Sequence, residues 1–182
     1  IDRFSVYTAD CIKLGGPVFP NKASGVTYLV VLPWNFFRAV LSTTPLSGAA
    51  QLHFTAYLVS LTTLGLCSAL TGCAVFRLLL RFGLFQVVAL FFALLYALGP
   101  IAFPFSTVLF SHQLAASFLF LGFFMLCERK HTWQVVAAGF LLGFATVLEY
   151  PAALGPVLIG RYGLTRTGVR WCLVFIGECL GG

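Results

Sequence analysis

Charge is what this sequence lacks most. Only 9% of its 182 residues are charged, five of them acidic, whereas 60% are hydrophobic. Soluble domains carry about 25% charged residues. A water-soluble domain of this length has too much surface to hide so many apolar side chains. The shortage of charge therefore excludes an ordinary soluble domain and predicts a polytopic helical membrane protein, in which each span needs about 20 apolar residues.

Several short signatures are missing as well. No P-loop, GxSxG, HExxH or strand-to-helix GxGxxG motif occurs, so the common nucleotide-binding and hydrolase signatures are absent. The six cysteines show no CxxC or CxxH spacing, which argues against a zinc site or a disulfide framework. The net charge of +6 is scattered between apolar runs rather than gathered on one face, so we expect no nucleic-acid partner.

The two ends of the sequence predict a longer protein. No initiator methionine and no signal peptide are visible at Ile1, and the last residues lie inside an apolar stretch. We expect a fragment, with one span before it and more spans after it.

Two regions follow from the distribution of polar and apolar residues. Residues 1–48 are expected to be a non-cytoplasmic irregular loop, rich in Pro and Gly, with an interfacial helix at 26–41. That helix would cover about 24 Å, less than the ~30 Å hydrocarbon core, so a full span is the weaker interpretation. Residues 49–182 are expected to be one all-α transmembrane helical bundle of about five hydrophobic segments. We place these at 49–80, 84–99, 109–127, 133–149 and a short or broken 152–160, followed by a basic loop at 161–170 and a last apolar stretch at 171–182.

Basic residues give the bundle an orientation. If the helices alternate, one side receives seven of the eleven basic residues and is therefore cytoplasmic. These are Arg77, Arg81, Arg129, Lys130, Arg161, Arg166 and Arg170. The non-cytoplasmic side then receives most of the polar candidates, provided that 26–41 does not span. These candidates are Asp10, Lys22, Ser106, Thr107, His112 and Glu149.

Each candidate has a functional and a plain interpretation. Asp10 is a general base or a solvated loop residue, and Lys22 pairs with a phosphate or reaches for lipid headgroups. His112 is an ionisable group at membrane depth or a helix-end histidine bonded to the backbone. Glu149 binds a sugar hydroxyl, a cation or Lys22, or simply ends a helix, where its charge is slightly unfavourable. Tyr150 suits an interface or a sugar-stacking surface.

A family resemblance bears on these alternatives. The stretch "YTADCIKLGGPVFPNKASGVTYLVVLP" (7–33) resembles the first outer loop of bacterial members of the type-C glycosyltransferase superfamily. That loop carries an Asp and then a Gly-Gly-x-x-x-x-Asn-Lys-Ala-Pro-Gly string, in which Ser24 stands here at the Pro position. The stretches "FPFSTVLFSHQLAASFLFLGF" (103–123) and "GFLLGFATVLEYPAAL" (139–154) are similar to two later segments of the family. Its members include proteins similar to the dolichyl-phosphate-mannose protein mannosyltransferases and the lipid A aminoarabinose transferases.

The resemblance implies an enzyme of the cell envelope. Such proteins transfer a sugar from a polyprenyl-phosphate donor to a lipid, glycan or protein acceptor at the non-cytoplasmic face of the bacterial inner membrane. It implies that Asp10 is the base, with Asp2 as the alternative, and that Asn21 and Lys22 bind the donor. His112, Glu149 and Tyr150 would line the same cavity. We expect no cofactor, although some relatives hold a divalent metal. The rival interpretations are a transporter or channel segment, supported by the break at Gly155-Pro156, and an inactive scaffold of the same fold.

Overall fold

The chain is helical over most of its described length. The computed structural model describes residues 11–13, 18–20, 24–99, 103–104, 110–128 and 131–167, giving the backbone alone for the first two ranges and for 163–167. The helices are α1 (Gly25–Ser42), α2 (Gly48–Ser60), α3 (Leu66–Arg81), α4 (Gln86–Leu98), α5 (Ser111–Cys127), α6 (Thr132–Leu148) and α7 (Leu154–Thr167). A π-helical segment (Leu61–Gly65) joins α2 to α3, and a 3₁₀ turn (Tyr150–Ala153) precedes α7.

The opening segment is more ordered than an irregular loop. Strands β1 (Cys11–Lys13) and β2 (Val18–Pro20) pair antiparallel, with Ile12 opposite Phe19. The sequence pattern predicts an irregular loop over this segment and does not anticipate the strand pair. Strands of three residues are too short to show the alternation by which a strand is recognised in a sequence.

Helix α1 is longer than the interfacial helix expected at 26–41. It has 18 residues and includes Pro33, and by length and composition it is one of two described helices that could cross a membrane. The five-residue connection 43–47 leads into α2, and α1 packs along α2. Of its residues, Gly25 alone is buried, so α1 is held mainly by its first turn and by α2.

The second candidate span is the continuous helix Gly48–Arg81. Its 34 residues correspond to about 51 Å, well beyond a ~30 Å hydrocarbon core. It contains the π-helical segment, where the Thr63 hydroxyl donates to the Val59 carbonyl oxygen at 2.6 Å. The long helix ends just before Gly83, which has a φ of +84°. There the Gly83 amide donates to the Leu80 carbonyl and the Leu84 amide donates to the Leu79 carbonyl, which closes the C-terminus of the helix.

Helix α4 packs through its small residues and exposes its large ones. Ala89 and Ala93 are buried, and the next residue in this i, i+4 row, Ala97, meets Gly72 of α3. The large apolar side chains are turned outward, with Val87 78%, Phe91 61% and Leu98 65% exposed. A water-soluble helix would bury the large side chains instead. Helices in membranes associate through small residues, as α4 does here.

Helices α5 and α6 form the most extensive contact in the described chain. They pack antiparallel because only 128–131 connect them, and Gly122 of α5 lies against Leu142 of α6. A core of Leu64, Leu114, Phe118, Ala145 and Leu148 joins this pair to the π-helical segment. Val26 and Leu29 of α1 pack against the same core.

The expected break at 152–160 is replaced by a continuous helix. Pro156 lies in the first turn of α7, where a backbone N–H has no intrahelical partner to lose. Gly155 packs closely under Leu119, because a Cβ there would lie 2.5 Å from Cδ2 of that side chain unless the leucine shifted. The helix continues to Thr167, so most of the expected basic loop at 161–170 is helical too.

The close contact of α5 with α6 gives a stability prediction. In Gly122→Ala the new Cβ would lie 2.7 Å from Cγ of Leu142, which is fully buried and has no room to yield. We expect overpacking to lower the free energy of unfolding by about 1–3 kcal/mol, measured by SDS titration in mixed micelles. The control is Gly72→Ala, whose Cβ meets Ala97 at an ordinary 3.7 Å and should be neutral or slightly stabilising. Equal loss in the two variants would contradict this packing.

Candidate functional site

The bundle has two chemically different ends. At the arginine end, formed by Arg77, Arg81, Glu128 and Arg161, Nη1 of Arg81 lies 3.1 Å from Oε1 of Glu128 and also bonds the Cys127 carbonyl. Arg161 belongs to this end because the neighbouring Tyr162 contacts Phe123 and Cys127. The opposite, glutamate end contains Ser111, His112 and Glu149. The expected separation of these arginines from Glu149 therefore holds within the described residues.

His112 and Glu149 lie together at the glutamate end. The helices run antiparallel, so the first turn of α5 meets the residue that follows α6. Nδ1 of His112 lies 3.1 Å from Oε1 of Glu149, which is an ion pair when the histidine is protonated. The Ser111 hydroxyl donates to the same carboxylate oxygen, and the Phe110 ring stacks on the imidazole with centroids 6.4 Å apart. Two residues predicted to share a cavity are thus in contact.

The position of Glu149 becomes favourable once its neighbour is considered. At the C-terminus of its own helix a carboxylate is repelled by the partial negative charge of the last carbonyls. Here the carboxylate instead lies beside the first turn of α5, where the unpaired N–H groups carry partial positive charge. The neighbouring N-terminus therefore offsets the cost that α6 alone would impose.

The His112–Glu149 contact contributes little to stability. Their side chains are 65% and 23% exposed, so one partner is well solvated. Exposed ion pairs typically contribute about 0–1 kcal/mol. A contact of this kind can be rearranged by a ligand at small cost, and both groups can offer hydrogen bonds to a sugar or a phosphate.

Helix α1 begins at this same end. A Cβ at Gly25 would lie 2.5 Å from the carbonyl oxygen of Val147 and 2.7 Å from the amide nitrogen of Leu148. The absence of a side chain therefore lets the start of α1 rest on the last turn of α6, next to Glu149. Any larger residue at position 25 would push α1 away from the site.

The remaining predicted residues are placed as follows. Asp10, Asn21 and Lys22 lie outside the described residues, as do Ser106 and Thr107. Tyr150 begins the 3₁₀ turn directly after Glu149 and is 70% exposed. Among the residues that the structure describes, no group of three or more His, Cys, Asp and Glu side chains gathers as metal ligands would.

Two polar features were missed by the sequence interpretation. Ser111 precedes His112 in the sequence and donates a hydrogen bond to Glu149, but it was not among the predicted site residues. Gln113, on the opposite side of the same turn, is 93% buried and donates to the Ser68 hydroxyl at 3.1 Å and the Tyr96 hydroxyl at 3.3 Å. The sequence signal for Gln113 was a polar amide inside an apolar run, because a buried polar group needs a hydrogen-bond partner.

A cavity of about 520 Å³ lies away from this site. It is an apolar groove on α3, α5 and α6 that ends beside Arg77 and Glu128, at the arginine end. In the described residues, the predicted site is a partly exposed cluster of His112 and Glu149, whose side chains are 65% and 23% exposed.

Comparison with protein-family models, curated proteins and solved structures finds no significant match. The class that fold and site define is therefore coarse. Within the described residues, it is a helical chain with two helices that could span a membrane, and its His112–Glu149 contact lies at the end of the bundle opposite Arg77 and Arg81.

The buried amide gives a second stability prediction. In Gln113→Met the side-chain length is kept, but the bonds to Ser68 and Tyr96 are lost. We expect the free energy of unfolding in mixed micelles to fall by about 0.5–2 kcal/mol, the range of hydrogen bonds between helices. Ser117→Ala is the matched control one turn later, because its buried hydroxyl has no hydrogen-bond partner among the described residues and its removal should cost nothing. A larger loss for Ser117→Ala than for Gln113→Met would contradict the assignment.

Proposed function

We propose that this chain is part of a membrane glycosyltransferase that moves a sugar from a polyprenyl-phosphate donor to a lipid, glycan or protein acceptor at the non-cytoplasmic face. The observation that supports it best is the His112–Glu149 contact at 3.1 Å, at the end of the bundle opposite Arg77 and Arg81. The family resemblance pointed to these two residues in separate segments, and they meet in space.

The outward-facing apolar side chains support the membrane placement. On α4 the exposed residues include Val87, Phe91, Phe92, Leu94, Leu95 and Leu98. Soluble monomers rarely expose contiguous apolar patches larger than a few hundred Å², whereas lipid-facing helices require such a surface. In this arrangement α3 to α7 form a polytopic bundle with Arg77, Arg81 and Arg161 toward the cytoplasm.

Helix lengths support an interfacial or outer position of α1 and α2. The 34-residue helix ends at Arg81, and the 17-residue α5 ends at Cys127. The Arg81 side chain donates to the Cys127 carbonyl, so the two helices end at the same level. About half of the longer helix must therefore extend past Ser111, at the glutamate end. The paired α1 and α2 would then lie in the outer leaflet and headgroup region, close to where α1 begins beside Glu149.

The chemistry assigns one role to each polar group. The acceptor hydroxyl attacks the anomeric carbon, its proton passes to the Asp10 carboxylate, and the bond from that carbon to the phosphate oxygen breaks with inversion. Asp2 is the alternative base. Lys22, two residues before Ser24 in the sequence, would neutralise the departing polyprenyl phosphate, with Asn21 beside it. His112, Glu149 and Tyr150 would hold the sugar or acceptor, and no cofactor takes part in this scheme.

A transporter segment is the weaker alternative. Its support was a broken helix at Gly155-Pro156, and α7 is continuous there. An inactive scaffold of the same fold would keep the stability effects above and lack turnover, so the transfer assay separates it from an enzyme.

Sugar transfer is tested in proteoliposomes with the full-length protein and a polyprenyl-phosphate-linked sugar. Asp10→Asn should lower kcat by about 10²–10⁴-fold, because an amide cannot accept the acceptor proton. Glu149→Gln should lower kcat/KM by about 10–100-fold through lost charge-assisted hydrogen bonds. Glu128→Gln is the matched control, since this glutamate also lies in an ion pair at a helix end but on the arginine side. Activity unchanged in Asp10→Asn would remove Asp10 as the base.

Topology is tested separately from chemistry. In a variant whose six cysteines are replaced by alanine, Tyr150→Cys and His131→Cys are labelled with an impermeant maleimide in sealed vesicles. Both positions are exposed, and they lie at opposite ends of α6. We expect each to react from a different side, Tyr150→Cys from the non-cytoplasmic one. Labelling of both from one side would overturn the membrane arrangement.

A further inference from the structure

The groove at the arginine end has the shape of an amphipathic binding site. Its apolar part is formed by Leu70, Ala74, Leu121, Phe124, Met125 and Leu141, contributed by three helices, and its volume is about 520 Å³. Helix α5 packs against both α3 and α6 and lies between them. From the level of Leu70 to that of Arg77 the groove extends about 10 Å along α3. The apolar surface thus leads directly to a cation at the end of the bundle.

The charges at the mouth of the groove leave one cation available. Glu128 also lines the groove, but its carboxylate is 3.1 Å from Nη1 of Arg81 and is neutralised there. Arg77, one turn before Arg81, is exposed and has no hydrogen bond or ion pair within the part of the chain that the structure describes. The groove therefore presents a net positive mouth.

Two neighbouring features suit a headgroup at this mouth. Gln134, in the first turn of α6, lines the groove, so the positive end of that helix dipole adds to the charge of Arg77. Trp133 beside it is 59% exposed, and tryptophan concentrates at the headgroup level of membranes. A small soluble anion would use Arg77 and leave the apolar groove unexplained, whereas a lipid would use both.

We infer that this groove binds an anionic phospholipid of the arginine-side leaflet, with one acyl chain between α3 and α6 and the headgroup phosphate on Arg77. The pairing is charge-complementary, because the guanidinium forms two parallel hydrogen bonds to phosphate oxygens. The inference rests on the membrane placement in the proposed function but not on sugar transfer. It concerns the end of the bundle opposite His112 and Glu149.

The test measures which lipid the full chain retains. The protein is reconstituted in nanodiscs of equal phosphatidylglycerol and phosphatidylcholine, and the lipid that survives detergent release is counted by native mass spectrometry. We expect the wild-type chain to retain phosphatidylglycerol preferentially and Arg77→Gln to lower that retention by about tenfold. Arg161→Gln, which removes an exposed cation at the same end but outside the groove, should change it by less than about twofold.

A second variant tests the acyl-chain part. Cys73 is exposed and lines the groove, so Cys73→Trp would fill the groove and lower retention of both lipids without touching Arg77. Equal retention in the wild type and Arg77→Gln, equal loss in Arg161→Gln, or displacement of the lipid by glycerol phosphate at matched concentration would each overturn the inference. A chain that fails to float with liposomes would overturn the membrane placement as well, whereas one that floats without lipid preference overturns this site alone.

Discussion

The antiparallel contact of α5 with α6 determines where every described candidate residue lies. Gly122 allows the two helices to approach until the Leu142 side chain covers it, and Ala138 and Ala145 are fully buried along the same helix. Because the contact fixes the register, the first turn of α5 meets the end of α6. The His112–Glu149 contact depends on that register. The packing of the start of α1 against Val147 and Leu148 depends on it too. A change that shifted α5 by one turn would separate all of them.

Small residues inside and large residues outside characterise the rest of the bundle. Ala89 and Ala93 of α4 are buried, and Gly155 of α7 lies under the Leu119 side chain. Such packing through small residues, supplemented by hydrogen bonds such as those of Gln113, is typical of helices that associate in membranes.

Much of the helical order was predictable from apolar run lengths, and the parts that were not have physical reasons. Glycines and Pro156 near 155–160 look like helix breakers in the sequence, but one fits beneath Leu119 and the other stands in a first turn that loses no bond. The pairing of β1 and β2 falls below the length at which alternation can be seen. Helix alternation predicted that His112 and Glu149 lie at the same end, but not that they touch, and the partners of Ser111 and Gln113 required knowledge of which side of the turn each one faces. The roles proposed for Asp10, Asn21 and Lys22 still depend on the family resemblance, since these residues lie outside the described part of the chain.

The π-helical segment at Leu61–Gly65 lies where the core ends and the outer part of the long helix begins. Such a segment is an α-helix with one extra residue, and each residue of an α-helix turns it by about 100°. The face that α2 shows to α1 is therefore out of phase with the face that α3 shows to the core. Loss of a single residue here would turn α2, and α1 with it, by about 100° about the axis of the long helix. The direction in which that pair lies is therefore set by the number of residues in this segment rather than by any one side chain.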